Sequence, residues 1–381
     1  MIMPVFTILH RDKQTNARRG KLKTAHGTIE TPFFMPAATK ATGKFITTDD
    51  YNNLGKNTKV QAMICNAFIL SCKPGIDVIK AAGGVHSFMN FKGVVFTDCG
   101  GFQMSRSMYE HKSDKGIHFR NPFNNQKIIL TPQKIMEIEL ALGSDVAMML
   151  DDMSGYGVSK EEARIAMNNT HAWGSLSLRI HQELRKKNKS KQLLFGIVQG
   201  NFYPDLRQES AKYISSLDFD GIAIGGVAIG EPMEKMYEAV DAALPYIPTE
   251  KPRYVMGVGS PLEILELIGR GIDCFDSVFP TQNARHGTMF TRTGKMYIMQ
   301  TAYAFDFTPL EAGCECHTCQ TYTKAYLHHL SKVEPGCFKR LTSIHNLCFM
   351  MNLIEDVKKA IKNDAFLEFK EEFKKEFCRK K

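Results

Sequence analysis

The sequence predicts an α/β fold, a (β/α)8 TIM barrel with a small subdomain inserted near its C-terminal end. Two observations carry that prediction. Eight short apolar runs recur with mostly helix-length intervals between them, and acids, amides and glycines stand where the runs end. The runs are nearly continuous rather than alternating, as in parallel strands buried under helices on one side and packed in a barrel on the other. An open doubly wound sheet is the alternative. It would string the polar strand ends along an edge, whereas a barrel gathers them on one face.

In chain order the runs are PFFMPAA (32–38), AMICNAF (62–68), GVVFTD (93–98) and VAMMLD (146–151), then LLFGIVQG (193–200), GIAIGG (221–226), YVMGVG (254–259) and IDCFDSVFP (272–280). Between them PQKIMEIELALG (132–143) reads as a helix closed by Gly143, and KEEARIAMNNTHAWGSLSLRIHQELRKK (160–187) and PLEILELIGRG (261–271) read as two more. Two stretches break the rhythm. Residues 99–131 follow the third strand and suit a lid or small hairpin, and residues 300–350 form the C-terminal insertion. The whole of 1–381 is expected to be one barrel domain with these two additions.

Bulk properties narrow the function classes. The chain has 381 residues, 43% of them hydrophobic, and no apolar run near the ~20 residues of a membrane span. Its start, MIMPVFTILHRDK, lacks the pattern of a signal peptide. Ten unevenly spaced cysteines do not make a disulfide framework and point to a reducing, cytoplasmic setting. The net charge of +9 fits a polyanionic partner, although lysines at 186, 187, 189 and 191 and in the tail also serve solubility.

Cys314, Cys316 and Cys319 form a C-x-C-x-x-C cluster, and His345 follows in LTSIHNLCFM. This spacing reads as one closed, structural zinc site, which staples a segment rather than performing chemistry. Cys314 and Cys316 are expected in a turn after Gly313, Cys319 at or before the start of a helix, and His345 on a second helix crossing back over it. His317, His328 and His329 compete for the fourth position, and Cys337 or Cys348 could stand in for a histidine. Lys324 and Lys332 in this segment are candidates for phosphate contacts, or plain solvated charges.

Chemistry is sought at the strand ends. Asp98 precedes Gly100 and Gly101 in TDCGGFQ, a setting for a ligand against the backbone or a simple capped turn. Asp151 and Asp152 point opposite ways in an extended strand, so one faces the site and the other pairs locally. Gln199 offers a donor and an acceptor, and Gly225 and Gly226 expose backbone groups to a flat heterocycle. Asp276, in DCFDSVFPTQNAR, suits a nucleophile aimed at an electrophilic carbon, with Asp273 as its rival.

These motifs, TDCGGFQ (97–103), ALGSD (141–145), FGIVQG (195–200), IGGVAIGE (224–231), KPRYVMGVG (251–259) and GIDCFDSVFPT (271–281) with the Cys3His pattern, run in order through nearly the whole chain. The sequence resembles the tRNA-guanine transglycosylases, the queuine-type tRNA-ribosyltransferases, in their bacterial single-barrel form. The resemblance implies exchange of guanine at the tRNA wobble position for the deazaguanine preQ1 in tRNAs for Asp, Asn, His and Tyr. It implies Asp276 as nucleophile and Asp98 as general acid/base. Asp151, Gln199, Gly226 and Val227 would read the purine edge, and Phe102 and Met256 would sandwich its ring. Gln282 and Arg285, in the 281–285 loop, would touch the anticodon loop. Cys314, Cys316, Cys319 and His345 would hold one structural Zn2+ per subunit of a homodimer.

Some positions depart from the family pattern. Met153 stands where bacterial members usually have cysteine, and LDDM is closer to the LDDV of eukaryotic catalytic subunits, a clue that points toward queuine. Ile229 stands where those subunits have glycine and bacterial ones usually valine, and its bulk excludes queuine's cyclopentenediol; this favours preQ1. Ile69 replaces a histidine and Gln282 an arginine. A non-catalytic tRNA-binding subunit would lack the nucleophile, and a metal-dependent barrel hydrolase would carry its ligands at the rim. Neither fits.

Overall fold

A computed structural model describes residues 4–100 and 109–379. The eight barrel strands are Phe33–Pro36, Ala62–Asn66, Val94–Asp98, Val146–Met148, Leu193–Val198, Gly221–Ile224, Arg253–Val255 and Cys274–Ser277. Each lies within one of the expected runs except the seventh, which begins one residue early. All pair in parallel, the eighth returning to the first through Cys274–Phe33 to Ser277–Pro36. Strands one and two close the ring through an Ala37–Ile64 bridge, with the Ala38 amide 2.7 Å from the Ile64 carbonyl oxygen. The sheet is therefore a closed barrel rather than an open one.

Alternate strands fill its interior with aromatic rings. Phe33, Phe96, Phe195 and Tyr254 come from strands one, three, five and seven. Phe96 meets the other three at centroid distances of 6.0, 5.6 and 6.0 Å. Such a layer is the packing rule of this barrel class. Gly221 on the sixth strand makes room for it, because a Cβ there would lie 2.4 Å from the Phe195 ring.

The N-terminal end of the barrel is plugged by an antiparallel sheet of Phe6–Arg11, Arg18–Thr24 and Gly27–Thr31, absent from the sequence expectation. Its buried Arg18 grips Asp273 with Nε at 3.0 Å and Nη2 at 2.5 Å, and donates Nη1 to the Thr249 carbonyl at 2.6 Å. Its His26 donates a backbone N–H to Asp145 at 2.8 Å. Asp145 and Asp273 each stand just before a barrel strand, so these contacts fix the plug to the face opposite the catalytic candidates.

The insertion after strand three is a three-stranded meander, Tyr109–Ser113, Gly116–Arg120 and Lys127–Leu130, larger than a hairpin. The helix Pro132–Leu142 ends at Gly143 in a left-handed conformation (φ +69°), as expected. The other two expected helices are Lys160–Asn188 and Pro261–Gly269. A hairpin of Thr288–Thr291 and Gly294–Tyr297 precedes the 300–350 segment, which holds helices His317–Thr321 and Lys324–Val333 and the first part of Pro335–Lys362. Tyr322 and Thr323 break what the sequence suggested was one helix after Cys319; Thr323 caps the second with its side chain on the Tyr326 amide. No helix among the described residues is long and apolar enough to cross a membrane.

Candidate active site

Asp276 lies in the eighth strand, at the C-terminal face. Its Oδ1 accepts the Tyr254 hydroxyl at 2.5 Å and the Gly257 amide at 2.8 Å. No hydrogen bond among the described residues occupies Oδ2. Burial lifts this carboxyl above its ordinary range, and the two donors oppose the lift. Tyr254 is a member of the interior aromatic layer, so core packing aims the hydroxyl that aims the carboxylate. Asp273, the rival, is fully buried in its pair with Arg18 at the other end of the strand.

Asp98 closes the third strand. Its Oδ1 accepts the Gly100 amide at 2.8 Å. Burial pushes its carboxyl up to about 7, the nearby charges of Asp151 and Asp276 add to the rise, and the Gly100 amide opposes it. Asp98 ends strand three, Asp151 follows strand four and Asp276 lies in strand eight, so all three stand at the C-terminal end of the barrel. A carboxyl poised near neutrality suits proton transfer in both directions.

Asp151 and Gln199 form a pair, with Nε2 of Gln199 donating to Oδ2 at 2.7 Å; Cys99 Sγ lies 3.5 Å from Oδ1. Burial raises the Asp151 carboxyl. Gly225 and Gly226 make space for that glutamine. A Cβ at Gly226 would stand 2.4 Å from Oε1 of Gln199, and the residue has φ +63°. Their carbonyls are already occupied, so only part of the backbone expected to be exposed is open. The buried guanidinium of Arg207 takes them, with Nη1 to Gly225 O at 2.7 Å and Nη2 to Gly226 O at 3.1 Å. Nη1 also donates to Val198 O at 3.0 Å and Nε to Asn201 O at 2.6 Å. With the carbonyls drawn back, the Gly226 and Val227 amides remain without a hydrogen bond among the described residues.

Asp152 turns away, as one of the two adjacent acids had to. It pairs with Lys112 of the meander and accepts Nδ2 of Asn169 at 2.9 Å. Met256 is partly buried in the loop after strand seven, and its amide donates to the Ile224 carbonyl at 3.2 Å. Phe102 lies outside the described residues. Residues 281–285 are not a loop: Phe279–Arg285 is a short helix with Pro280 in its first turn, Gln282 exposed and Arg285 partly buried. Burial lowers the Arg285 guanidinium, and the Tyr51 hydroxyl opposes this weakly. Glu231 grips the loop carrying Ile229, accepting the Ala228 and Ile229 amides at 2.6 and 2.8 Å. Ile69 is buried in a helical turn capped by Asn66.

Tyr254, Arg207 and Glu231 were missed as functional supports. Tyr254 offered a signal, a hydroxyl inside an otherwise apolar run. Nothing distinguishes Arg207 from the other charges of its helix until the fold shows it buried.

The donor atoms of Cys314, Cys316, Cys319 and His345 lie within 4.8 Å of one another. His345 Nδ1 is 3.9, 3.6 and 3.4 Å from the three sulfurs. The nitrogen–sulfur edge of a tetrahedral zinc site is about 3.5 Å from the usual bond lengths. Nε2 of His345 donates to the Phe290 carbonyl at 2.8 Å, which leaves Nδ1 as the ligand. The cluster can thus hold a metal ion. One residue on, Asn346 donates to the carbonyls of Pro280 and Thr288 at 2.9 and 3.0 Å and accepts the Phe290 amide at 3.0 Å. The helix that carries His345 therefore holds the segment leaving the Asp276 strand through Asn346.

Residues 12–379 match the protein family described as queuine tRNA-ribosyltransferase. Proteins of that name from Desulforamulus reducens and Halalkalibacterium halodurans are each 44% identical to this chain, covering 98% of it and 99% and 96% of their own lengths. One from Macrococcus caseolyticus is 45% identical over 96% of this chain and 94% of its own.

Proposed function

The chain belongs to the queuine tRNA-ribosyltransferase family, and on that premise we propose that it swaps the wobble guanine of tRNAs with GUN anticodons for preQ1. The observation that carries the reading is one carboxylate with Oδ1 doubly held and Oδ2 open, beside a second poised near neutrality. Oδ2 of Asp276 attacks C1′ of the ribose. The glycosidic C–N bond breaks, and protonated Asp98 gives its proton to the departing guanine. The ribose is then esterified to Asp276. Ionised Asp98 takes a proton from the incoming base, whose nitrogen displaces the aspartate from C1′. Two displacements restore the original configuration, and both carboxyls return to their starting states.

Asp151, Gln199 and the Gly226 and Val227 amides read the purine edge, and Phe102 and Met256 enclose the ring. Gln282 and Arg285 meet bases beside the flipped nucleotide. Transfer of labelled guanine into tRNA-Tyr or tRNA-Asp tests the activity; an intact protein that transfers none refutes it.

The incoming base is assigned to preQ1 because Ile229 is a bulky side chain on a loop pinned by Glu231. In direct competition for one tRNA, preQ1 is expected to win by at least ~10-fold, and Ile229→Gly to narrow the gap. A wild-type preference for queuine would refute the steric argument.

Zinc is assigned to the Cys3His cluster as a structural ion, bound by three thiolates and Nδ1 of His345. Cys319→Ser is expected to lower bound zinc from one equivalent to less than ~0.1 and to loosen amide-exchange protection across 300–350. Full protection in a zinc-free variant would remove the stapling role. The enzyme is taken to act in the cytoplasm as a homodimer, one subunit performing chemistry while the other supports RNA; its solution mass by light scattering checks the second point.

A further inference from the structure

Three segments that leave the same face of the barrel meet at one exposed aromatic ring. Lys40 follows strand one, Lys73 follows strand two, and Phe123 sits in a turn of the meander inserted after strand three. The Lys40 and Lys73 ammonium groups lie 5.8 and 5.4 Å from the Phe123 ring centroid. Both lysines are exposed, and Phe123 keeps 42% of its surface in solvent.

The ring is displayed by a built turn. Asn121 is buried, and its side chain accepts the Phe123 amide at 2.8 Å. Its own amide donates to the Gln126 carbonyl at 2.8 Å, and its carbonyl accepts the Asn125 amide at 2.9 Å. Beside the ring opens a surface cavity of about 400 Å3, lined by Tyr109, Glu110, Arg120 and residues 121–125. Tyr109 is 41% exposed, and Arg120 pairs with Glu110 at 2.7 Å.

Two ammonium groups sharing one ring repel each other, and the weak attraction of each to the ring does not require the other. A phosphate at each ammonium group would offset that repulsion. An exposed ring in a positive setting also offers a stacking surface to any base. Single-stranded RNA supplies both groups at adjacent positions; a peptide or membrane supplies no such alternation.

Resting on the reading of tRNA as substrate, we propose that this face is a second RNA contact beyond the flipped nucleotide. An unpaired base stacks on Phe123, with its flanking phosphates on Lys40 and Lys73. Arg120 is held back by Glu110 and serves the shape of the cleft.

Direct binding of unmodified tRNA, measured by fluorescence anisotropy over a salt series, tests this independently of catalysis. Phe123→Ala is expected to weaken binding about tenfold, and Phe123→Trp to restore it, as loss and return of one stacked base would. Lys40→Ala with Lys73→Ala is expected to reduce the slope of log affinity against log salt by about 1 to 2, one phosphate per lysine. In turnover, KM for tRNA should rise while KM for the free base and kcat stay within twofold. Wild-type affinity and salt slope in both variants would overturn the inference while leaving base exchange intact. Absence of base exchange with normal tRNA binding would instead strike the parent reading.

Discussion

Asp276→Asn is expected to abolish formation of the covalent RNA–protein adduct and to cut base exchange on the order of 10⁴-fold or more, since the reading gives the other acids of the mouth, Asp98 and Asp151, to proton transfer and base recognition. The substitution is a clean one for physical reasons. Asparagine keeps an oxygen where Tyr254 and Gly257 donate, so the amide should sit in the same orientation. What is lost is the negative charge and the lone pair at the position of Oδ2. tRNA binding should stay within a few-fold of wild type, because the carboxylate contributes to the reaction rather than to recognition. A denaturing gel with labelled tRNA reads the adduct directly. Tyr254→Phe is the graded comparison. It leaves the carboxylate but removes one of two donors, and an adduct should still form at a rate reduced about tenfold. Full exchange by the Asp276→Asn protein would leave the proposed double displacement without its central bond.

Much of this arrangement was legible in the chain, for identifiable reasons. Parallel barrel strands are buried on both sides, so VAMMLD and LLFGIVQG stand out as unbroken apolar runs. Polar residues that end such runs converge in a closed barrel, which brought Asp98, Asp151, Gln199 and Asp276 to one mouth. The cysteine spacing was a local pattern and needed no fold to be read. What escaped was non-local. Strand Arg18–Thr24 alternates in burial only because it lies over the barrel's base, and its Arg18–Asp273 pair spans 255 positions. Arg207 has the same sequence context as its solvated neighbours, yet once buried it takes up the Gly225 and Gly226 carbonyls beside the proposed purine pocket. The 281–285 segment looked like a loop because it is short and polar, but it continues a helix that begins at Phe279 with Pro280 in its first turn. In the metal segment Tyr322 and Thr323 split an expected helix because Thr323 caps the next one.

Asp98→Asn should slow exchange by about 10²–10⁴-fold and remove the pH dependence expected of wild type. The sign follows from which state acts first. The carboxyl is pushed up to about 7, so below that pH it is mostly protonated and able to donate to the departing guanine. As pH rises through about 7 the acid is lost, and kcat/KM for tRNA should fall. The asparagine variant, having no proton to give, should be slow and flat over the same range. Stability moves the same way. A carboxyl whose folded value exceeds its unfolded one binds more protons when folded, so its contribution declines from the ordinary carboxylate range up to about pH 7. Asp98→Asn should therefore melt later than wild type at pH 8, the mark of a site that gives up stability for chemistry. The two acids also test each other. Burial is the largest cause of the rise at Asp98, with Asp276 a lesser one. Neutralising Asp276 should lower the Asp98 value without returning it to the ordinary range, as isotope-edited infrared titration can follow. An unchanged value would mean that the two carboxylates do not feel each other, and a single flipped nucleotide could not then be served by both.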